Sequence, residues 1–508
     1  MKLSTPPDVV LDRLGALRAQ DAPTHGGHVL SYVYDSGEPE LDELAAAAVR
    51  AMQPVNGLDP TTFGSVAALE RDLVAFTRDL LGGDGTVVGT VTSGGTESCL
   101  LAVKTARDAW LAARGLAPGS ARPRLVLPTT AHAAFQKAAH YFGFELDPVP
   151  VGRDGAVAAD DLVARLGDDV ALAVVSAPAY PHAALDPVAD VASAAAAHGV
   201  PVHVDACIGG MALPFWPDLP AWDLRVPGVT SLSVDLHKYG YAPKGVSVLL
   251  QRGRDRQRGQ YFATTRWPGY PVVNPTLLGS RSGGPLAAAW AITQALGRDG
   301  FAELAGRARR ATLALRQAVE EIDGLRVVGD PVGPLLAVAT DDDVAPHRRV
   351  DPHRWADATT AHGWVLQAQP AFAQADGTTL PHTTHLTVTP VTEQVLDELV
   401  PALRAAADTV RGEPRPEAAA LLDPASLTGL TGLTGLTEPS GAPDVAPIDS
   451  DTAAGLLAAI GLDASRIGED GPGVGAMAPL LAAVEALPAP VAERLLVELL
   501  ARLVEPRP

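Results

Sequence analysis

TVTSGGTESCLLAVKTARDAW, residues 90–110, is the stretch whose reading decides the fold. A β-branched run containing Val87, Val88 and Val91 meets Ser93-Gly94-Gly95-Thr96, and apolar residues then recur at helical spacing through Leu100, Leu101 and Val103. Strand, glycine turn and helix N-terminus in that order make a cradle for an anion. Gly94 and Gly95 let the backbone approach closely, while free N–H groups and the helix dipole favour negative charge. Thr96 adds a hydroxyl, and Glu97 suits the first helical turn. Alone, the segment is equally an ordinary strand-to-helix turn.

Two later segments change that balance. In VPVHVDACIGG (residues 200–210), Val200, Val202 and Val204 alternate with Pro201 and His203 and lead to Asp205. A carboxylate at a strand end can hold a proton on a heterocyclic nitrogen, or simply cap the next segment. His203 points to the same sheet face as Asp205 and either supports it or is a satisfied core histidine. In SVDLHKYGYAPKG (residues 233–245), Lys238 follows His237 at the end of another β-like run. A lysine amine whose pKa is lowered by its surroundings attacks carbonyls and is trapped as an imine. The three pieces occur in order, each at a strand end.

These segments, with TAHAAFQKAAHYFG (130–143), SAPAYPH (176–182) and NPTLLGSRSGG (274–284), resemble the sphingosine-1-phosphate lyase branch of the pyridoxal 5'-phosphate (PLP)-dependent decarboxylases. The resemblance runs from about Gly27 to Gly412 and is densest from Gly94 to Gly284. It implies PLP as cofactor and a likeness to fold type I. The expected fold is α/β: a mostly parallel, doubly wound large domain, a smaller α+β domain and an extra helical tail. It also implies the roles. Lys238 joins the cofactor; Asp205 pairs the ring nitrogen; His132 stacks on the ring. Gly94, Gly95, Thr96 and His237 hold the phosphate, and Ser280 reaches that phosphate from the neighbouring subunit of a homodimer. Outside the family pattern, His132 reads as a surface histidine.

For the substrate, the resemblance points to Tyr34 in LSYVYDSG, Asn56, His182 and Lys244, the last in YAPKG. One position departs. Where the lyases have an Asn-Pro-Leu-His-Pro run, this chain has Asn56-Gly57-Leu58-Asp59-Pro60, which places a carboxylate where a phosphate-binding histidine is expected. Either the substrate lacks a phosphate there, or it brings an amine, or Asp59 turns away.

The rhythm along the chain fits this class. Apolar β-like runs VVGTVTS, RLVLPT, VALAVVSAP, VPVHVDA, TSLSVD and GVSVLLQR alternate with helical stretches, as in a doubly wound sheet. The expected division is an N-terminal helical and extended segment (1–80), a cofactor-binding domain (81–290), an α+β domain (291–413), a flexible Leu-Thr-Gly linker (414–448) and a helical appendage (449–508). Leu495, Leu496, Leu499, Leu500 and Leu503 form one helical face, read as docking on the enzyme itself or on a partner.

Composition narrows the remaining choices. With 39 Lys and Arg against 59 Asp and Glu, the formal charge of −20 argues against nucleic acid and anionic membranes. The two cysteines, Cys99 and Cys207, exclude a disulfide framework, lack zinc-like spacing and point to a reducing cytoplasm. The N-terminus lacks the long apolar stretch of a signal or anchor, so a soluble protein is expected. The leading expectation is carbon–carbon bond cleavage of a sphingoid-like amino alcohol. An amino-acid decarboxylase is the alternative, with Arg281 as the candidate partner of a substrate carboxylate. An aminotransferase, a desulfurase using Cys207 and a silent scaffold fit less well.

Overall fold

The computed structural model describes residues 3–416, 448–459, 462 and 477–506. Three helices open the chain: α1 (Pro7–Arg18), α2 (Pro39–Met52) and α3 (Gly64–Leu80). Then come β1 (Val87–Thr92), α4 (Gly95–Ala113), β2 (Arg124–Pro128), α5 (Ala134–Phe142), β3 (Glu145–Val149) and α6 (Ala159–Val163). β4 (Val170–Ser176), α7 (Val188–Ala197), β5 (Val202–Asp205), β6 (Val229–Val234) and β7 (Ser247–Arg252) complete the alternation. The seven strands make one sheet in the order β1-β7-β6-β5-β4-β2-β3. β2 to β6 pair in parallel, and β7 runs against both its neighbours.

Strands β4 and β5 are buried throughout, as expected where helices cover both faces. Each fully buried Val or Leu there contributes about 1.5–3 kcal/mol relative to exposure. The parallel register matters for function. Ser176 of β4, Asp205 of β5 and Ser233 of β6 are aligned neighbours at their strands' carboxyl ends. That is the edge at which open α/β sheets place their ligands.

A short helix, α8 (Arg254–Arg258), and a hairpin of β8 (Phe262–Thr264) and β9 (Val272–Asn274) lead to α9 (Gly284–Glu320). Gly297 breaks α9 with a φ of 54°, a left-handed conformation that glycine adopts without steric cost. Before and just after the break, Leu286, Ile292 and Phe301 pack into the large core; further on, Ala311, Leu315 and Val319 pack into a second one. The elements that follow are β10 (Leu325–Val327), β11 (Leu335–Thr340), α10 (Pro352–Thr360), β12 (Gln367–Gln369), the hairpin β13 (Phe372–Ala373) and β14 (Thr379–Leu380), β15 (Thr383–Thr387) and α11 (Leu396–Val410); β10, β11, α10, β15 and α11 supply the second core, while Leu380 packs into the first. The four-stranded antiparallel sheet has the order β10-β11-β15-β12.

The tail supplies α12 (Ser450–Ala459), α13 (Met477–Ala486) and α14 (Ala489–Leu503). The Leu-Thr-Gly repeat falls outside the described residues. α13 is tied to the second core: Asp357 on α10 accepts hydrogen bonds from the backbone N–H groups of Met477 (2.8 Å) and Ala478 (2.9 Å). Glu485 on α13 pairs with Arg415 and accepts from the Ala371 N–H at 3.1 Å. The expected leucine face of α14 is only half used. Leu495, with Leu499 beside it, packs with Val491, Ile448, Ala453 and Leu457, while Leu496, Leu500 and Leu503 are exposed. Among the described residues, α12 and Leu480 of α13 cover only part of the apolar arc. Among the described residues no helix is long and apolar enough to cross a membrane.

Candidate active site

A cavity of about 530 Å³ opens at the carboxyl edge of the large sheet. Lys238, Asp205, His132, Tyr34, His237, Gly94, Gly95 and Thr96 all line it, so eight residues singled out in the sequence converge there. The seventh strand is where the sequence was silent: β3 carries Pro148 and sits at the sheet edge, which is where proline is tolerated in a strand.

The expected strand, glycine turn and helix N-terminus follow one another in order. α4 begins at Gly95, immediately after β1 and the turn. The Glu97 carboxylate accepts from the Ser93 N–H (2.6 Å) and from the Leu277 N–H (2.7 Å), which locks the turn and the 276–280 loop together. Gly95 is required sterically: a Cβ there would lie 2.7 Å from both Asp235 Oδ1 and Cys207 Sγ.

Asp205 accepts from the Cys207 N–H (3.0 Å) and from the Ser233 hydroxyl (3.2 Å). Burial pushes its pKa up, but His132 and the Cys207 hydrogen bonds outweigh burial, so it stays below the usual carboxylate range. His203 is fully buried between Ser231 (2.9 Å) and Ser233 (3.2 Å), and burial, against a smaller pull from Asp205, lowers its pKa to about 4. It is therefore a neutral imidazole that reaches Asp205 through Ser233, which resolves the two readings of that residue. His132 accepts from the Ala134 N–H through Nδ1 at 3.1 Å, leaving Nε2 to carry its proton.

Sequence reasoning missed Asp235, the central partner of Lys238. Its Oδ2 lies 3.0 Å from Lys238 Nζ and 3.6 Å from His237 Nε2, and it is 2% exposed. Burial opposes the charge on Lys238, yet Asp235, with smaller help from Tyr34, Cys207 and Asp205, raises its pKa above the ordinary lysine value. An aspartate three residues before a lysine at a strand end was the available signal. Asp235 Oδ1 is buried without a hydrogen-bond partner beside the glycine turn.

The substrate residues divide. Burial, with Lys238 opposing, raises the Tyr34 pKa to about 12, and the Lys244 ammonium sits 4.5 Å over the Tyr34 ring while donating to the His237 carbonyl at 3.0 Å. Burial of that ammonium, then repulsion from Lys238, lowers the Lys244 pKa to about 8. His182 is not in the cavity. It is buried against Gly155, where a Cβ would lie 2.4 Å from the His182 Cβ, and burial lowers its pKa to about 4. Tyr180, two residues earlier in the same turn, takes the cavity position instead.

Asn56, Asp59 and Ser280 form a separate group, away from the cavity of their own chain. Asn56 Nδ2 donates to Ser280 Oγ at 3.3 Å, and Asn56 Oδ1 accepts from the Arg281 N–H at 3.3 Å. Asp59 is fully exposed and accepts from the Thr61 hydroxyl (2.6 Å), the Thr62 hydroxyl (2.7 Å) and the Thr61 N–H (2.9 Å), which lower its pKa to about 2. Of the three readings of Asp59, the carboxylate turned to its own loop is the one seen. Arg281 is committed as well, to Glu70 (2.9 Å), the Val91 carbonyl (2.8 Å) and the Gly57 carbonyl (3.2 Å), which removes it as a free partner for a substrate carboxylate.

An aldehyde-bearing, phosphorylated pyridine fits these donors: a helix N-terminus for the phosphate, an ionised Asp205 for the ring nitrogen, an imidazole for its face and a lysine for its carbonyl. The fold and site thus define a PLP-dependent enzyme. Residues 56–331 match the family described as the pyridoxal-dependent decarboxylase conserved domain, and the chain belongs to that family. Residues 397–502 match a pyridoxal-dependent enzyme C-terminal putative HTH domain. The chain is 34% identical to a sphingosine-1-phosphate lyase of Oryza sativa subsp. japonica over 80% of its length and 74% of the relative's. It is 36% identical to sphingosine-1-phosphate lyase 1 of Rattus norvegicus over 70% of its length, spanning 61% of that relative. The solved sphingosine-1-phosphate lyase of Burkholderia pseudomallei matches with a TM-score of 0.74 and 31% identity, covering 87% of this chain and 97% of that one. Glutamate decarboxylase of Lactobacillus brevis shares the fold, with a TM-score of 0.70 at 19% identity. The protein is a PLP-dependent lyase of this family.

Proposed function

We propose that the protein cleaves the Cα–Cβ bond of a phosphorylated sphingoid-base-like amino alcohol to an aldehyde and an amine, as a homodimer. The observation that carries this is the Lys244 ammonium over the Tyr34 ring, which adds a cation for a substrate anion beside the Lys238 cavity. When bound, PLP would supply an electrophilic carbonyl for the substrate amine and a ring able to accept electrons. The chain's own groups do the rest. Asp205, whose pKa is held low, would pair with the ring nitrogen and keep it protonated. The substrate hydroxyl gives up its proton as its C–O bond becomes a carbonyl, and a proton returns to Cα. Tyr34, with a pKa near 12, holds its proton at neutral pH and is placed as a donor.

The homodimer reading is supported by the Asn56, Asp59 and Ser280 group. Ser280 is expected to act on a neighbouring subunit, and Asn56 donates a hydrogen bond to it. Phe262, Trp267, Tyr270 and Leu277 form an exposed apolar surface around that group, of the kind that a second copy would cover. The reaction is tested by supplying purified protein and PLP with a phosphorylated sphingoid base and measuring aldehyde. Carbon dioxide released from amino acids, without aldehyde, would select the decarboxylase alternative instead.

A further inference from the structure

At the mouth of the cavity, a side chain from the second core reaches across to two tyrosines. Gln367 on β12 accepts from the Tyr180 hydroxyl through Oε1 at 2.6 Å and donates through Nε2 to the Tyr32 hydroxyl at 2.8 Å. All three residues line the cavity that holds Lys238. Tyr32 and Tyr180 lie far apart along the chain, and the Gln367 amide bridges their hydroxyls directly. Tyr32 also holds a left-handed backbone, with φ at 57°, a conformation costly for a bulky residue unless its surroundings enforce it. The loop that enforces it is pinned by Asp35, which accepts from the Gly26 and Gly37 N–H groups, each at 2.8 Å.

β12 is itself held from behind. Two residues beyond the strand's end, the Ala371 N–H donates to Glu485 of α13 at 3.1 Å, and Glu485 is paired in turn with Arg415. The same helix is seated by Asp357 at its N-terminus. The appendage therefore grips the segment that begins with Gln367.

We propose that Gln367 is a substrate-positioning residue that clamps Tyr32 and Tyr180 across the cavity mouth, and that the C-terminal appendage holds this clamp in register through Glu485. With its proton given to Gln367, the Tyr180 oxygen, which Thr387 also approaches, is left with acceptor capacity only. Tyr32, accepting from the amide, keeps its own proton to donate. The mouth thus presents an acceptor and a donor on opposite sides, a pattern suited to a substrate with an ammonium or hydroxyl on one side and an anionic group on the other. The inference rests on the proposed function only in taking the Lys238 cavity as the substrate site.

The test uses the full-length PLP-loaded enzyme and four variants, Gln367→Ala, Gln367→Glu, Glu485→Ala and the double variant Gln367→Ala/Glu485→Ala. Affinity for a non-cleavable phosphorylated amino-alcohol analogue is read from the cofactor's absorbance, and KM and kcat from aldehyde release. Losing two neutral hydrogen bonds at the mouth is expected to weaken the analogue and raise KM by roughly tenfold, with kcat within about threefold of wild type. Gln367→Glu, whose carboxylate accepts from both hydroxyls, is expected to restore the affinity of an unphosphorylated analogue but not of the phosphorylated one. Glu485→Ala is expected to act in the same direction, by about threefold, and to add nothing to Gln367→Ala, because both act through one clamp. Unchanged analogue affinity in Gln367→Ala overturns the clamp. Effects of the two substitutions that multiply overturn the link to the appendage. A wild-type enzyme that binds the analogue but releases no aldehyde contradicts the lyase reaction and leaves the affinity arm still deciding the clamp.

Discussion

Replacing Asp235 with Asn isolates the ion pair that controls the nucleophile. At 3.0 Å from Lys238 Nζ, the carboxylate stabilises the ammonium by about 5 kcal/mol at an effective dielectric near 20, an upper figure that corresponds to roughly a 10⁴-fold shift in the protonation equilibrium. Without it, burial is the dominant influence left on Lys238, and burial favours the neutral amine. The sign follows from the raised pKa of the native lysine. The folded protein binds this proton more tightly than the unfolded chain does, so the pair's contribution to stability is complete below about pH 10 and is lost as pH rises through the folded-state pKa. In Asp235→Asn that stabilisation disappears across the neutral range. The assay is PLP capture by apoenzyme, followed by absorbance from pH 6 to 11. The variant should reach its half-maximal capture rate at least two pH units below wild type, since only the unprotonated amine reacts. Superimposable pH profiles would refute the pairing as the control on Lys238.

Other consequences are direct. Gly95→Ala should lower PLP affinity at least a hundredfold, because the added methyl meets Asp235 and Cys207 at 2.7 Å; equilibrium dialysis measures it. Mixed dimers of Lys238→Ala and Ser280→Ala chains should regain part of the activity that each homodimer lacks. KM for a phosphorylated substrate should rise as pH passes 8, where Lys244 loses its charge, while an unphosphorylated analogue shows no such rise. Asp59→His should leave the kcat/KM ratio between the two substrates unchanged, since Thr61 and Thr62 already occupy the carboxylate.

What could be read from the sequence was whatever is local. Gly94-Gly95-Thr96, Asp205 and Lys238 each follow an apolar run within one segment, so strand period and turn chemistry place them at strand ends before any packing is known. Directions were harder. SAPAYPH is a turn, where the two-residue alternation of a strand fails, and so His182 was favoured although Tyr180 faces the cavity. β3 carried too little apolar signal around Pro148 to be recognised. The Tyr32–Gln367 contact joins positions 335 residues apart and leaves no mark in either segment. Nor does a stripe of leucines say how much of it will be covered, as the exposed Leu496, Leu500 and Leu503 show.

The central claim is tested most directly by incubating the PLP-loaded protein, and its Lys238→Ala variant, with a phosphorylated sphingoid base labelled on both sides of the Cα–Cβ bond. The account predicts equal amounts of labelled aldehyde and labelled amine from the wild type and neither from the variant. Intact substrate with the wild type, or products formed equally well by Lys238→Ala, would contradict it.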